Sequence, residues 1–384
     1  MLIPPVILLF LSWFGMVHCQ PRPHTTGGHL HHSHRHYHQE MSSSALAGDS
    51  TGCGYPIDYD VNPNVQFKLC TGQTLQETKN GRSIIEMIKS RGFMPTCRVQ
   101  HLLLWMYSAV SDEIKSHEMY FADVGANIGS CSVHMASLGF PVISVEPVEE
   151  HMKAIRGSMT LNPSFRIEPH HIGLSSTERI SKGSFVHGGQ NWGSSAIVED
   201  PEAGEHELVF STLDYVLSGR KAALLKVDCE GCEYAALKGA TKSLAQDKAT
   251  RVEMIKMELN MREYPLDFNT NETVPAKAII TLLHEHNYEL FVDMWREEKM
   301  YFGHGGNEIN PIDNIFGSRK FNLRSDLSIL DDAAKLILTN PIDPIKFTTM
   351  EEFSKLSTDI IAIDSDLAAK MKAKWLGVVG NMWG

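Results

Sequence analysis

Three groups of residues in this chain have the types and spacing that chemistry needs. Tyr120 to Ser130 reads YFADVGANIGS, an apolar run that ends in Asp123 and passes through Gly125 and Gly129 toward a helix. Glycines at a strand–loop–helix junction allow tight turning and close approach of a ligand to the backbone. The helix start adds N–H groups without helical partners. Glu146 closes a second apolar run, and a carboxylate about 20 residues after such a loop accepts hydrogen bonds from a ribose diol. The third group is Lys226-Val227-Asp228-Cys229-Glu230-Gly231-Cys232-Glu233. There Asp228 or Glu230 could act as general base toward a hydroxyl or bind a substrate through hydrogen bonds. Capping of a following helix is the plainer role for these acids, and for Glu233 both roles stand open.

The first group selects among ligands. A dinucleotide fingerprint beginning at Gly125 needs glycine at 127 and 130, where the chain has Asn127 and Ser130. A pyrophosphate would also sit badly beside Asp123. An acid suits a cationic or hydroxyl-rich ligand better, which makes S-adenosylmethionine the leading candidate. Asn127 would either contact that ligand or hold the loop through its own side chain.

Positioning these residues requires alternating strands and helices. Strand signals end at Asp123, at Glu146 (Pro141 to Glu146), near Ile172 (from Arg166), at Asp228 (from Leu224), at Glu258 (from Met254) and at Val292 (from Tyr288). Helical signals lie between them at Cys131 to Leu138, Met152 to Met159, Tyr234 to Leu237 and Ala276 to Glu285. The alternation predicts an α/β fold, a mostly parallel sheet with helices on both faces. Acids recur at strand carboxyl ends, the edge where open α/β sheets bind ligands. Residues 53–118 are expected to form an N-terminal helical cap over one end of the sheet, with helices at Ser83 to Ile88 and Gln100 to Ile114. Gly188 to Ser195, with Trp192, reads as a polar loop that could meet a sugar or simply lie at the surface. Residues 326–384 read as a C-terminal extension without assigned chemistry, in which Asp364 to Leu376 could pack as a helix.

The chain's address is at its start. Leu2 to Val17 is apolar and uncharged, with the length of a signal-peptide core rather than a membrane span. Residues 1–19 are read as a signal peptide and 20–52 as a histidine-rich disordered tail. After cleavage six cysteines remain, an even number that permits up to three disulfides in an oxidising compartment. At least one is expected to pin the region of Cys53, Cys70 and Cys97. Cys229-x-x-Cys232 has no second Cys-x-x-Cys to complete a zinc site, so a disulfide is expected, within the pair or to the cap. His284-Glu285-His286 does not fit a helical zinc signature either, and no metal site is assigned. Asn271-Glu272-Thr273 is a glycosylation sequon. The formal charge of −11 argues against a nucleic-acid partner.

Together, Asp123-Val124-Gly125-Ala126-Asn127-Ile128-Gly129, Val145-Glu146-Pro147, Leu161-Asn162 and the Lys226 to Glu233 string resemble the FkbM-type methyltransferases, over roughly residues 119 to 295. The resemblance implies a Rossmann-like class I methyltransferase fold and methyl transfer from S-adenosylmethionine, often to a hydroxyl of a sugar or natural product. It places Asp123, Gly125, Asn127 and Gly129 at the cofactor, Glu146 at the ribose, and Asp228 and Glu230 at the active-site edge. Cysteine at 229 and 232 departs from the family's usual apolar or aromatic residues, and no acid stands near Ser175 for the adenine.

The leading expectation is a secreted or secretory-pathway O-methyltransferase with its domain at 119–325 and a small-molecule or glycan acceptor. Catalysis would fall to Asp228 and Glu230, with Asp228 also at the cofactor. Two other readings are a non-catalytic glycan- or nucleoside-binding module on the same fold, and a secreted protein whose histidine tail binds metal.

Overall fold

Ala222–Val227 and Val142–Val145 are buried along their whole length, as parallel strands covered on both faces must be. They belong to a seven-stranded sheet. The computed structural model describes residues 53, 57–62, 65–71, 84–85, 88, 94, 96–111, 119–188, 191–200, 202, 204–259, 264–265, 273–274, 276–293, 327–343 and 359–377. All fall in the unit Gly48–Gly384. The expected signal peptide, the histidine-rich tail and Asn271 of the sequon lie outside the described residues, as do Ser83, Glu86 and Met87 of the helix expected at Ser83 to Ile88, whose Ile84, Ile85 and Ile88 are helical.

The first elements among the described residues are a hairpin, β1 (Ile57–Asn62) and β2 (Val65–Leu69), and further along the chain helix α1 (Thr96–Val110). The α/β core then runs β3 (Tyr120–Val124), α2 (Ser130–Ser137), β4 (Val142–Val145), α3 (Glu149–Leu161) and β5 (Ile167–His170). A four-stranded sheet interrupts it: β6 (Gly173–Leu174), β7 (Arg179–Gly188), β8 (Asn191–Glu199) and β9 (His206–Ser211), ordered β6-β9-β7-β8. The core resumes with α4 (Leu213–Leu217), β10 (Ala222–Val227), α5 (Glu233–Lys238) and β11 (Met254–Glu258). After the short ribbon β12 (Tyr264–Pro265) and β13 (Thr273–Val274) come α6 (Ala276–Glu285), β14 (Tyr288–Val292), α7 (Leu327–Leu338), β15 (Asp359–Asp364) and α8 (Ser365–Leu376).

The main sheet has the order β14-β15-β11-β10-β3-β4-β5. Strands β5, β4, β3, β10 and β11 pair in parallel, and β15 runs antiparallel to both its neighbours. The chain winds outward from β3 in both directions, so a crevice opens beside β3 at the carboxyl edge.

Alternate residues of each strand feed opposite faces. Phe121, Val142, Leu224 and Met254 join one buried cluster with α1, α2, α3, α7 and α8. Ala122, Ile143, Leu225 and Ile255 join the other with α4, α5 and α6. Each fully buried aliphatic side chain contributes about 1.5–3 kcal/mol of transfer free energy.

Three features differ from the sequence expectation. Residues 53–118 include a β-hairpin, and α1 lies on a sheet face against β10, α2, α7 and α8 rather than over an end. Leu102, Leu103, Leu104 and Met106 make α1 apolar on too many sides for a cap at an edge. Gly188 and Asn191 to Ser195 belong to the β7–β8 hairpin rather than a surface loop. The main sheet also extends past 325, because Asp359–Asp364 is inserted between β11 and β14; its run of four apolar residues between two aspartates is buried throughout. Among the described residues no helix is long and apolar enough to cross a membrane.

Three disulfides form: Cys53–Cys70, Cys97–Cys131 and Cys229–Cys232. The second ties α1 to the first turn of α2, and one turn further His101 and His134 meet edge to face at 5.5 Å. The third closes within its own pair.

Candidate cofactor and acceptor site

The site is built where β3, β4 and β10 end. Gly125 and Ala126 donate their N–H groups to Val145 O at 3.0 and 3.1 Å, and Asp228 N donates to Val124 O at 3.1 Å. The strand ladders thus continue into the loops and fix their starting points. Gly125 has φ +72°, and a Cβ there would fall 1.8 Å from Asp228 O. Only glycine lets the first loop lie directly on the third group. Gly129, at φ +80°, precedes α2, and a Cβ on it would come 2.8 Å from Ile155 of α3.

Two non-glycine residues in these loops also have positive φ, Asn127 at 52° and Glu230 at 54°, a conformation that persists only where surroundings enforce it. For Asn127 the constraints are its N–H, donated to Glu146 Oε2 at 2.8 Å, and its own Oδ1, which accepts from Ile128 N at 2.8 Å. For Glu230 they are the flanking Cys229–Cys232 bond and Glu233. The Glu233 carboxyl accepts from Cys229 N at 3.1 Å and Gly231 N at 2.9 Å. Burial pushes the Glu233 pKa up to about 7, against the pull of those backbone donors.

Beneath the first loop runs a buried polar row. Ser144, Asp123, Lys226 and Lys256 are register neighbours on β4, β3, β10 and β11, so their side chains share one face. Ser144 Oγ donates to Ser132 Oγ at 2.6 Å, and Ser132 Oγ donates to Asp123 Oδ2 at 2.7 Å. Lys226 Nζ lies 3.1 Å from Asp123 Oδ1, donates to Gly125 O at 2.9 Å, and reaches within 3.6 Å of Asp228 Oδ2. Burial disfavours this ammonium, yet the charges of Asp123 and then Asp228 outweigh burial and raise its pKa above the ordinary lysine value. Lys256 is held likewise, 2.7 Å from Asp359 Oδ2 and 3.5 Å from Asp293 Oδ2.

Glu146 is nearly all buried. Besides Asn127 N it accepts from Val148 N at 2.9 Å, and His151 Nδ1 lies 3.2 Å from the same oxygen, Oε1. Three of its acceptor positions therefore hold the first loop and the start of α3.

Asp228, Glu230 and Glu258 are half-buried, and one carboxylate oxygen from each lies within 4.8 Å of the others. The three acids line the carboxyl ends of β10 and β11 beside Gly125. Such a surplus of negative charge suits a cation or a hydroxyl-rich ligand and repels phosphate.

The predicted site residues thus fall into two layers. Gly125, Asn127 and Gly129 form the loop, and Asp228 and Glu230 stand on its open side. Asp123 lies under the loop with no exposed surface, and its side chain faces Ser132 and Lys226 rather than the crevice. Glu146 sits at the crevice wall with a loop-holding role of its own. Lys226, Lys256, His151 and Glu258 join the site without a role expected from sequence. For Glu258 the recurrence of acids at strand ends was a usable signal, and for the lysines the signal was a cation within an apolar strand.

Residues 123–290 match the profile of the methyltransferase FkbM domain. Among solved structures, the chain is similar to precorrin-6y C5,15-methyltransferase from Geobacter metallireducens GS-15. That likeness has 11% identity over 50% of this chain and 72% of that one, with a TM-score of 0.27. It is also similar to magnesium protoporphyrin IX methyltransferase from Synechocystis PCC 6803 with bound SAM, with 9% identity over 56% and 76% of the chains and a TM-score of 0.30. No curated protein matches.

Proposed function

From a chain that carries a methyltransferase FkbM domain on a class I methyltransferase fold, we propose methyl transfer from S-adenosylmethionine to a hydroxyl of a sugar or other small molecule in the secretory pathway. The observation that carries this reading is the contact between the Gly125 loop and Asp228. It brings a nucleoside-type loop and an acid-rich, half-open edge into one crevice. The acids fit the cofactor's cationic sulfonium and its ribose. The three disulfides support an oxidising compartment.

When bound, S-adenosylmethionine supplies an electrophilic methyl group. Gly125, Asn127 and Gly129 would line its loop, and Glu146 would offer its remaining acceptor capacity to the ribose. Asp228, at the end of β10 and 42% exposed, would accept a proton from an acceptor hydroxyl aligned with the methyl group. Glu230 and Glu258 would orient the acceptor by accepting hydrogen bonds from its other hydroxyls.

Isothermal titration calorimetry of the full chain with S-adenosylmethionine tests the reading. Binding at micromolar affinity is expected, and absence of binding by protein shown to be folded overturns it.

A further inference from the structure

Lys226 occupies a position that its neighbours do not explain as packing. The other residues of β10 are apolar and buried, and an ammonium in such a strand is costly unless its partners are well placed. Its three partners lie on three different parts of the site: Asp123 on β3, the carbonyl of Gly125 in the cofactor loop, and Asp228 at the acceptor edge. Asp123 in turn is fixed from the far side by Ser132, and Ser132 by Ser144. A chain of hydrogen bonds and then ion pairs thus runs from the core of β4 to Asp228, with Lys226 as its last link.

We propose that Lys226 is a positioning residue that keeps Asp228 ionised and aimed into the crevice against the cofactor loop, an inference that rests on the cofactor reading above. The charged groups around Asp228 oppose its ionisation. Glu230, Glu233 and Glu258 face it from its own loop, the start of α5 and β11, and each negative charge among them opposes its ionisation. Among the described residues, Lys226 and, one strand further, Lys256 stand against them, and Asp228 also helps to hold the Lys256 ammonium charged. Lys256 is already committed to Asp359 and Asp293. Asp359 and Asp293 therefore compete for Lys256, while Lys226 lies nearer to Asp228. The 3.6 Å separation sets the direction of the effect: without Lys226 the Asp228 carboxylate would take up a proton at higher pH.

The single variant Lys226→Met strands the Asp123 carboxylate in the core, so the test uses Lys226→Met with Asp123→Asn, which removes the ion pair without leaving either charge alone. S-adenosylmethionine affinity is measured by calorimetry from pH 5 to 8 on the wild type, this double variant, and a triple variant with Asp228→Asn added. Thermal unfolding verifies the fold of each. The wild-type affinity is expected to change between pH 8 and about 6 only by the step of Glu233, whose proton titrates near 7 and is common to all three proteins. The double variant should lose about tenfold more affinity than the wild type from pH 8 to pH 6, and the triple variant should return to the wild-type slope. A double-variant profile that differs from the wild type only by a constant factor overturns the proposal, and so does an extra slope that survives in the triple variant. Failure of the wild type to bind at any pH overturns the cofactor reading instead.

Discussion

Asp123 and Asp228 lie near the carboxyl ends of adjacent strands, are separated by a single lysine, and have opposite fates. Asp123 is sealed beneath the glycine loop with both oxygens engaged. Asp228 stands 42% exposed at the mouth, beside Glu230 and Glu258. The buried row trades freedom for geometry, because every charge in it needs its partner to remain folded. The open edge keeps charge available to something outside the chain. Position along the strand decides the difference. Asp123 is the fourth residue of β3 and points inward with Phe121, whereas Asp228 lies one residue beyond the end of β10.

The largest effect that would break this comparison is in the buried row. Lys226→Met alone should cost about 3–5 kcal/mol, the range for removing one partner of a buried ion pair. Adding Asp123→Asn should return most of it. Urea denaturation with the disulfides intact measures both, and a double variant as unstable as the single would mean that packing, not charge, holds the row together.

Next is the contact that joins the two regions. Gly125→Ala places a methyl group 1.8 Å from Asp228 O at a φ of +72°. The backbone must move, and a loss of about 2–4 kcal/mol is expected. S-adenosylmethionine affinity should fall with it, by calorimetry. Unchanged affinity in a folded variant would separate the loop from the cofactor.

These two regions were not equally legible in the sequence. The strands carrying them were readable because burial on both faces turns each into an apolar run, as in Ala222–Val227. Glycine spacing and the acids at strand ends marked the carboxyl edge. Side-chain direction was not readable by residue type: Asp123 looks like a ligand residue until the parity it shares with Phe121 is known. Lys226 interrupts an apolar strand, which was a signal, but its partners lie on β3 and in two loops. The strand at Asp359–Asp364 was missed because it follows its antiparallel neighbour β14 by more than 60 residues, and no local pattern announces so distant a pairing. The hairpin of β7 and β8 was masked by glycine and polar residues that usually mark loops.

Between the extremes lies Glu233, which opens α5 directly after the loop of the open edge but is buried like the row. Its pKa of about 7 lies above the ordinary glutamate value, so the folded chain holds this proton more tightly than the unfolded chain. The corresponding stability is present in full below about pH 4.5 and is lost as pH rises through 7. Comparing wild type with Glu233→Gln by denaturation at several pH values should show the difference changing by on the order of 3 kcal/mol across that window. A pH-independent difference would show that Glu233 is ionised throughout and belongs with the fixed charges of the row.

The smallest stability effects are expected at the open edge itself. Asp228→Asn and Glu258→Gln remove charges from a crowded acidic cluster, and each should shift unfolding free energy by no more than about 0.5 kcal/mol. The same Asp228→Asn change should lower turnover by about 10²–10⁴-fold if this carboxylate takes the acceptor's proton, read as S-adenosylhomocysteine release against a panel of glycans. Glu258→Gln should act mainly on the acceptor's KM, because its carboxylate approaches the crevice from β11 rather than from the loop beside Gly125. The decisive outcome is the pairing of the two measurements: a carboxylate kept for an outside ligand costs little to remove from the fold and much to remove from the reaction. An Asp228→Asn protein destabilised by more than about 2 kcal/mol would place Asp228 with Asp123 as a structural charge and leave the edge without its base.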